Sequence, residues 1–379
     1  MKSETQVALI NELLDLQQSK SPFLDDHWQQ ETLDRYLSSD IFAREQALIG
    51  RRLPQIVAHV SEIDKPGDFI TTELAGRPLL LIRDEDGNAR AFYNVCRHRG
   101  AQLVGESSGC QHRLRCPYHA WTWNSAGQLI GVPHEKTGFP GLDRSEFGLH
   151  ALPCEEFGGW LWVSLASEEP IDVSAHLGEL AGDILAMDAG RYRIFDTTIK
   201  DIDANWKILV EGGLEAYHFR VAHKETIAPL FLDNLSSYQC FDRHIRSVLP
   251  RSSLTELESS SAEEWDFAKH ANVLYTLFPG SQFLVQEDHF VWIQGKPIAP
   301  DRTQLQLSTV IPAEANTPEQ HSYWRRNHEL TMYTLDEDFV LGESIQRGLA
   351  SGANTHLNFG RFEGALARFN EFVDQAIEA

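Results

Sequence analysis

A chain of 379 residues with 42% hydrophobic content is long enough for two domains and a large core. Its formal charge of −22 excludes a nucleic-acid binder, which needs a basic surface to displace the counterions around phosphates, and suits an electron-donor partner with a basic patch. No apolar run reaches the roughly eighteen residues of a membrane span, and MKSETQVALINELLDLQQSK lacks the basic start and apolar middle of a signal peptide, so a cytoplasmic protein with no membrane partner is expected. Five cysteines in so long a chain make no disulfide framework, and Cys110, Cys154 and Cys240 read as free thiols in a reducing compartment.

In chain order, Val7, Ile10, Leu13, Leu14 and Gln17 fall at helical spacing, with Leu9 and Leu16 widening the apolar side. They predict an amphipathic helix over residues 4–18, which Ser21 and Pro22 end. A second helix is expected from the Asp25 and Asp26 cap region through Trp28, Leu33 and Tyr36. After about residue 42 the pattern changes to short strand-like runs, DFITTEL, PLLLIRD and ARAFYNV, separated by turn residues at 76–78 and 86–88.

Residues 94–123, NVCRHRGAQLVGESSGCQHRLRCPYHAWTW, then present four metal ligands in two similar pairs, Cys96 with His98 and Cys116 with His119, seventeen residues apart. Two thiolates on one iron and two imidazoles on the other are the ligand set of a Rieske [2Fe–2S] centre, whose raised potential suits single-electron transfer. Tetrahedral zinc accepts the same residue types, although zinc sites usually pair Cys with Cys and His with His along the chain. The apolar GGWLWVSL closes this small β domain ahead of the charged SEEPID segment, which places a boundary near residue 165.

Beyond it, YRIFDTTIKDID, HFVWIQGKPI and TQLQLSTVIP read as strands, the stretch holding Ser252, Ser253 and Ser259 to Ser261 as a loop, and a long helical region starts near His321. Periodicity alone yields an α+β class. Within NWKILVEGGLEAYHFRVAH, His218 and His223 with a distant carboxylate would form a two-His, one-carboxylate site with open iron positions; surface or hydrogen-bonded core histidines are the alternative. Five residues turn an ideal helix by about 140°, so His223 is expected just past a helix end or across a local distortion.

The run LDEDFVLGESIQRGLASG offers Asp336, Glu337, Asp338 and Glu343 as the third ligand. At 100° per residue Asp338 falls among Leu335, Leu341, Gly342, Ile345 and Leu349, with Asp336 and Glu343 nearly opposite. A carboxylate on such an apolar face needs a cation or hydrogen bonds, whereas the alternative is an exposed acidic face. Glu215 precedes His218 by three, so it shares that residue's helical face and can accept a proton from the ring nitrogen not bound to metal.

With these residues in view, CRHR and CPYHAW, the NWK…ExYHxxxxH pattern, and an acidic pair before an apolar helix ending in Gln346-x-Gly348, the chain resembles the Rieske non-heme iron oxygenases over nearly its whole length. These are the large, or alpha, terminal subunits of aromatic ring-hydroxylating systems. The resemblance implies a small all-β Rieske [2Fe–2S] domain over residues 42–165. It also implies a helix-grip, START-like catalytic domain with an antiparallel sheet over 166–379, on which helices of residues 1–41 pack. Cys96, His98, Cys116 and His119 would hold the cluster, and His218, His223 and Asp338 the mononuclear Fe(II).

In the relatives a carboxylate carries electrons between subunits, which here gives a route from His119 of one subunit through Glu215 of its neighbour to His218. Many relatives have Asp at that place, so Glu215 departs from their pattern. The implied partners are a reductase or ferredoxin that relays NAD(P)H electrons, O2 as co-substrate, a small organic substrate, two further alpha subunits in a homotrimer, and in some systems a small beta subunit. The product would be hydroxylated once, become a cis-diol, or lose a methyl group. An aromatic substrate is expected, with Phe278, Phe283, Phe290 and Trp292 as candidate cavity walls. A quaternary ammonium compound held by cation–π contact is the alternative, and a Rieske electron carrier without oxygen chemistry is the reading from another class.

Overall fold

The computed structural model describes residues 1–166 and 169–378, so the first two residues of SEEPID lie outside the described part. The chain forms two compact units, one of Gly50–His176 with Asp188–Arg193, the other of Met1–Ile49, Leu177–Met187 and Ile194–Ala379. Among the described residues no helix is long and apolar enough to cross a membrane.

The first unit is built from antiparallel strands. A five-stranded sheet runs Ala151–Leu152, Ala89–Tyr93, Arg77–Arg83, Asp68–Leu74, Ser108–Cys110, and two three-stranded sheets accompany it. The expected runs DFITTEL, PLLLIRD and ARAFYNV are its middle strands. Ala75 and Gly76, both at positive φ, make the tight turn between the first two. Alternation decides the packing: Leu80 and Ile82 enter a core with Phe69, Phe92, Trp121 and Trp123, while Leu79 and Leu81 enter another with Ile70, Val57, Leu161 and Val163. The first of these cores underlies the Cys/His loops.

In the second unit, helix α1 (Ser3–Ser19) buries Leu9, Ile10, Leu13 and Leu14, and ends where Lys20 turns left-handed and the amides of Lys20 and Ser21 return to Gln17 and Leu16. The expected second helix is replaced. Gln29–Thr32 is a strand paired antiparallel with His356–Phe359, and only Asp34–Leu37 is helical. A pairing partner from the far end of the chain overrides the local spacing. Residues after 42 also begin differently from expectation, because α2 spans Ser39–Arg52 and turns Glu45 and Ile49 inward.

A seven-stranded antiparallel sheet follows, whose outer strands are Tyr192–Ile202 and Ser237–Phe241. HFVWIQGKPI and TQLQLSTVIP are its adjacent strands Phe290–Ala299 and Arg302–Pro312. Between the outer strand Tyr192–Ile202 and the rest of the sheet in sequence lie α3 (Trp206–Gly212) and the single turn α4 (Phe219–Ala222). The 30-residue α5 (His321–Ala350) sets Met332 and Phe339 against Ile202, Leu305 and Leu307, and α6 (Gly364–Glu378) closes the chain. Gly342 lets α3 approach α5, since a Cβ there would lie 3.2 Å from Leu209 Cδ2.

The NWK stretch anchors α3. Asn205 Oδ1 caps it by accepting from the Lys207 amide at 3.0 Å, Trp206 Nε1 donates to Glu45 Oε2 at 2.8 Å, and Lys207 Nζ donates to Glu45 Oε1 at 2.6 Å, fully out of solvent. Beside this pair Glu211 accepts from Tyr36 Oη and Asn370 Nδ2, each at 2.8 Å. Burial pushes the Glu211 carboxyl up to about 7 from 4.5, against the hydrogen bonds of Asn370 and Tyr36 and the charge of Lys207. A raised folded value stabilises the fold fully below the unfolded value and is lost as pH rises through the folded one. Urea midpoints should therefore fall as pH rises from about 4.5 to about 7, and Glu211→Gln should flatten that slope.

Candidate metal centres and substrate cavity

The two Cys/His loops have the same backbone. The Cys96 amide donates to Ala101 O and the Gly100 amide to Cys96 O; the Cys116 amide donates to Trp121 O and the Ala120 amide to Cys116 O. Each loop turns on a positive φ at the fourth residue after its cysteine, 74° at Gly100 and 59° at Ala120. Asn94 ties the base of the first loop through both amide atoms to the backbone of Val104. Both cysteines are buried, and the His98 and His119 rings sit 4.7 Å apart, with His98 stacked on Trp121.

Burial holds the Cys96 thiol above its ordinary range, the backbone amides of His98 and Arg99 pull the other way, and the adjoining Cys116 sulfur raises it again. His119 Nδ1 is buried and lacks a hydrogen-bond partner among the described residues. Two neighbouring sulfurs, of which that of Cys96 receives amide N–H groups, and two neighbouring rings, of which one has an orphaned nitrogen, fit a [2Fe–2S] cluster. None of the five cysteines forms a disulfide, Cys110, Cys154 and Cys240 among them.

The second constellation is built on α4 and α5. His218 and His223 occupy the N-cap and C-cap of α4, so the sequence spacing is met by a helix that ends between them. Their rings lie 5.1 Å apart, and the ligand atoms of His218, His223 and Asp338 all fall within 4.8 Å of one another. Asp338 Oδ1 stands 3.4 Å from His218 Nε2 and 2.9 Å from His223 Nε2.

Each Nδ1 is engaged on the far side, His218 with Glu215 Oε1 and His223 with Glu337 Oε2 at 2.8 Å. These carboxylates hold each Nδ1–H and turn both Nε2 atoms toward Asp338, where they would offer their lone pairs to a bound metal ion. Burial opposes a charged His218, yet hydrogen bonds to Asp338 and Glu215 outweigh it and push the ring up to about 10. Burial likewise opposes ionised Asp338, but bonds from His218 and His223 hold its carboxyl below the usual range. The centre thus favours extra positive charge, and an N,N,O set of this kind fits Fe(II).

Glu215 lies in the turn before α4, not on a helical face shared with His218 as the sequence spacing predicted. Its Oε2 accepts from the amides of Tyr217 and His218 while Oε1 accepts from His218 Nδ1. The extra methylene relative to Asp lets one carboxylate do both. Of the acidic run, Asp336 pairs with Lys200 and Glu343 accepts from the Asp203 amide at 3.3 Å. Glu337 was a candidate ligand by sequence and instead orients His223, with a second bond from Thr226 Oγ1 at 2.6 Å. Glu337→Ala should weaken iron retention about 10- to 100-fold in chelator dialysis while the cluster absorption stays unchanged.

A cavity of about 610 Å³ opens on the triad, between the sheet and α5, with Phe219, Phe231, Leu284, Ile293, Leu305 and Phe339 among its walls. Phe278, Phe283, Phe290 and Trp292 do not line it; all four are buried in packing, at most 3% exposed. On a sheet both faces of which are covered, burial does not separate wall from core. Leu341 and Ile345, expected on the buried side of α5, line the cavity and are 45% and 44% exposed.

Over residues 188–379 the chain matches the family described as ring hydroxylating alpha subunit (catalytic domain), and over 54–153 the Rieske [2Fe-2S] domain. The methanesulfonate monooxygenase hydroxylase subunit alpha of Methylosulfonomonas methylovora is 32% identical over 343 residues, 80% of this chain and 78% of the relative. The carnitine monooxygenase oxygenase subunit of Acinetobacter baumannii is 28% identical over 338 residues, 83% of this chain and 84% of the relative. A solved quaternary ammonium Rieske monooxygenase in complex with L-carnitine is similar with a TM-score of 0.77 and 25% identity, over 94% of this chain and 97% of that one. The Rieske match removes the zinc reading, and the catalytic-domain match removes that of a bare electron carrier. The chain belongs to the ring-hydroxylating alpha subunits and is a terminal oxygenase, in which a Rieske [2Fe–2S] cluster and a mononuclear non-heme iron use reductase electrons and O2 to oxidise an organic substrate.

Proposed function

We propose that Cys96, His98, Cys116 and His119 hold the cluster, that His218, His223 and Asp338 hold the mononuclear iron, and that the oxidised substrate is a neutral, ring-bearing compound. The observation that carries the metal assignment is the pair of Nε2 atoms turned toward Asp338 by carboxylates on their Nδ1 sides. When bound, the cluster supplies electrons singly and the iron supplies an open position for O2. The protein's own share is to lock both imidazoles, exclude water with apolar walls and orient the substrate.

The substrate class rests on charge pairing in the cavity. Among the described lining residues outside the metal site, each charged side chain already has a partner. Arg251 lies 3.8 Å from Glu287 and donates to Asn272 Oδ1 at 3.0 and 2.9 Å, and Asp288 accepts from His289 Nδ1 at 2.7 Å and Tyr323 Oη at 2.6 Å. An ionic substrate would have to break one of these pairs, whereas a neutral ring needs only the aliphatic and Phe surface. The carnitine-acting relatives favour a second reading, a quaternary ammonium substrate, with Glu287 and Asp288 as its counter-charges. Holoenzyme with a surrogate reductase should couple O2 uptake to a hydroxylated product from naphthalene or indole; turnover of carnitine or glycine betaine alone would replace the first reading by the second.

The electron route we propose crosses between copies, from His119 of one chain through Glu215 to His218 of the next, in a homotrimer. Tyr217 and Val221 beside His218, and Val340 beside Asp338, are exposed apolar residues at 53%, 82% and 63%, which supports a surface covered by a second copy. Oligomers co-assembled from Cys96→Ser chains and Asp338→Ala chains should recover activity that neither variant has; an inactive mixed oligomer counts against the route. The free thiols suit a reducing, cytoplasmic setting.

A further inference from the structure

Thr334 is 8% exposed, lines the cavity, and its Oγ1 has no hydrogen-bond partner among the described residues. It stands on α5 four residues before Asp338, hence on the same face, about 6 Å along the axis. A buried hydroxyl on a helix commonly bonds back to a carbonyl in the preceding turn, and one that does not is costly unless a ligand or water meets it. Leu335 and Phe339 of the same helix belong to the apolar cluster of Ile202, Leu305 and Leu307.

We infer that Thr334 is a specificity-determining residue, whose hydroxyl pairs with a polar atom of the substrate held about one helical turn from the carbon oxidised beside Asp338. The substrate class narrows accordingly, to an apolar ring compound that carries one hydrogen-bonding heteroatom. This rests on the neutral-ring reading of the cavity, which the test below separates from the role of Thr334.

Indole and indene have the same shape and differ by one N–H, so they serve as the probe pair for calorimetric binding to holoenzyme. Wild type should bind indole about tenfold more tightly than indene. Thr334→Val should erase that ratio and Thr334→Ser should keep it, which a merely space-filling role would not do. In the absence of either probe, Thr334→Val should melt at or above wild type, because a methyl replaces an unpartnered hydroxyl. Equal binding of the two compounds by wild type, a ratio that survives Thr334→Val, or a Val variant that melts below wild type would each overturn the assignment. If neither compound binds, the neutral-ring reading fails and the melting comparison alone decides whether the hydroxyl is reserved for a ligand.

Discussion

Asp338→Ala should strip the mononuclear iron and leave the cluster intact, with turnover lowered at least about a thousandfold, the equivalent of several kcal/mol of transition-state stabilisation. The side chain is the only carboxylate within reach of both Nε2 atoms among the described residues, at 3.4 and 2.9 Å, and its removal leaves two imidazoles that protons can occupy instead. The Cys/His loops draw their support from Trp121, Trp123 and Phe69, none of which lies near Asp338 in the chain, so the cluster absorption should persist. Iron and acid-labile sulfide per chain, measured with O2 uptake, check both halves. A variant that keeps full iron would move the ligand role to Glu337, whose Oε2 is 2.8 Å from His223 Nδ1.

Glu215→Gln should keep both metals and slow electron transfer to the iron about a hundredfold. The amide oxygen of Gln can still accept from the His218 ring, so the imidazole stays oriented, while the charge that the proposed route uses is gone. Stopped-flow reoxidation of the reduced cluster, with O2 and substrate present, reads the step directly. A rate equal to wild type would remove Glu215 from the path. Glu215→Asp should behave differently, because the shorter arm cannot both reach His218 Nδ1 and accept from the amides of Tyr217 and His218.

Where ligands are close in sequence, the chain spells out the site. Cys96, His98, Cys116 and His119 sit on two loops whose hydrogen bonds close within five residues, and His218 and His223 bracket a single turn, so local geometry suffices. Asp338 stood out among the acidic residues by its place among apolar side chains of the helix and by the family motif, and its Oδ1 is the carboxylate oxygen that meets both Nε2 atoms. The strands over Asp68–Leu74, Arg77–Arg83 and Ala89–Tyr93 were legible for the same local reason, alternation bounded by turn residues.

Other features depended on partners far away in the chain. Gln29–Thr32 became a strand because His356–Phe359 lies beside it, and Glu45 could turn inward on α2 only because Lys207 and Trp206 meet it there. The division of labour between Glu337 and Asp338, adjacent on α5, is set by which of them faces Nδ1 and which faces Nε2 of His223. The cavity walls followed no sequence signal, since core and lining residues are equally apolar; only the packing of α5 against the sheet separates Phe339 from Phe283. Sequence by itself determined which residue types stand at metal-ligand spacing, because residue identity and local spacing are properties of the chain. Tertiary structure decided the orientation of each ligand and the shape offered to the substrate, because both arise from contacts between segments that the chain order keeps apart.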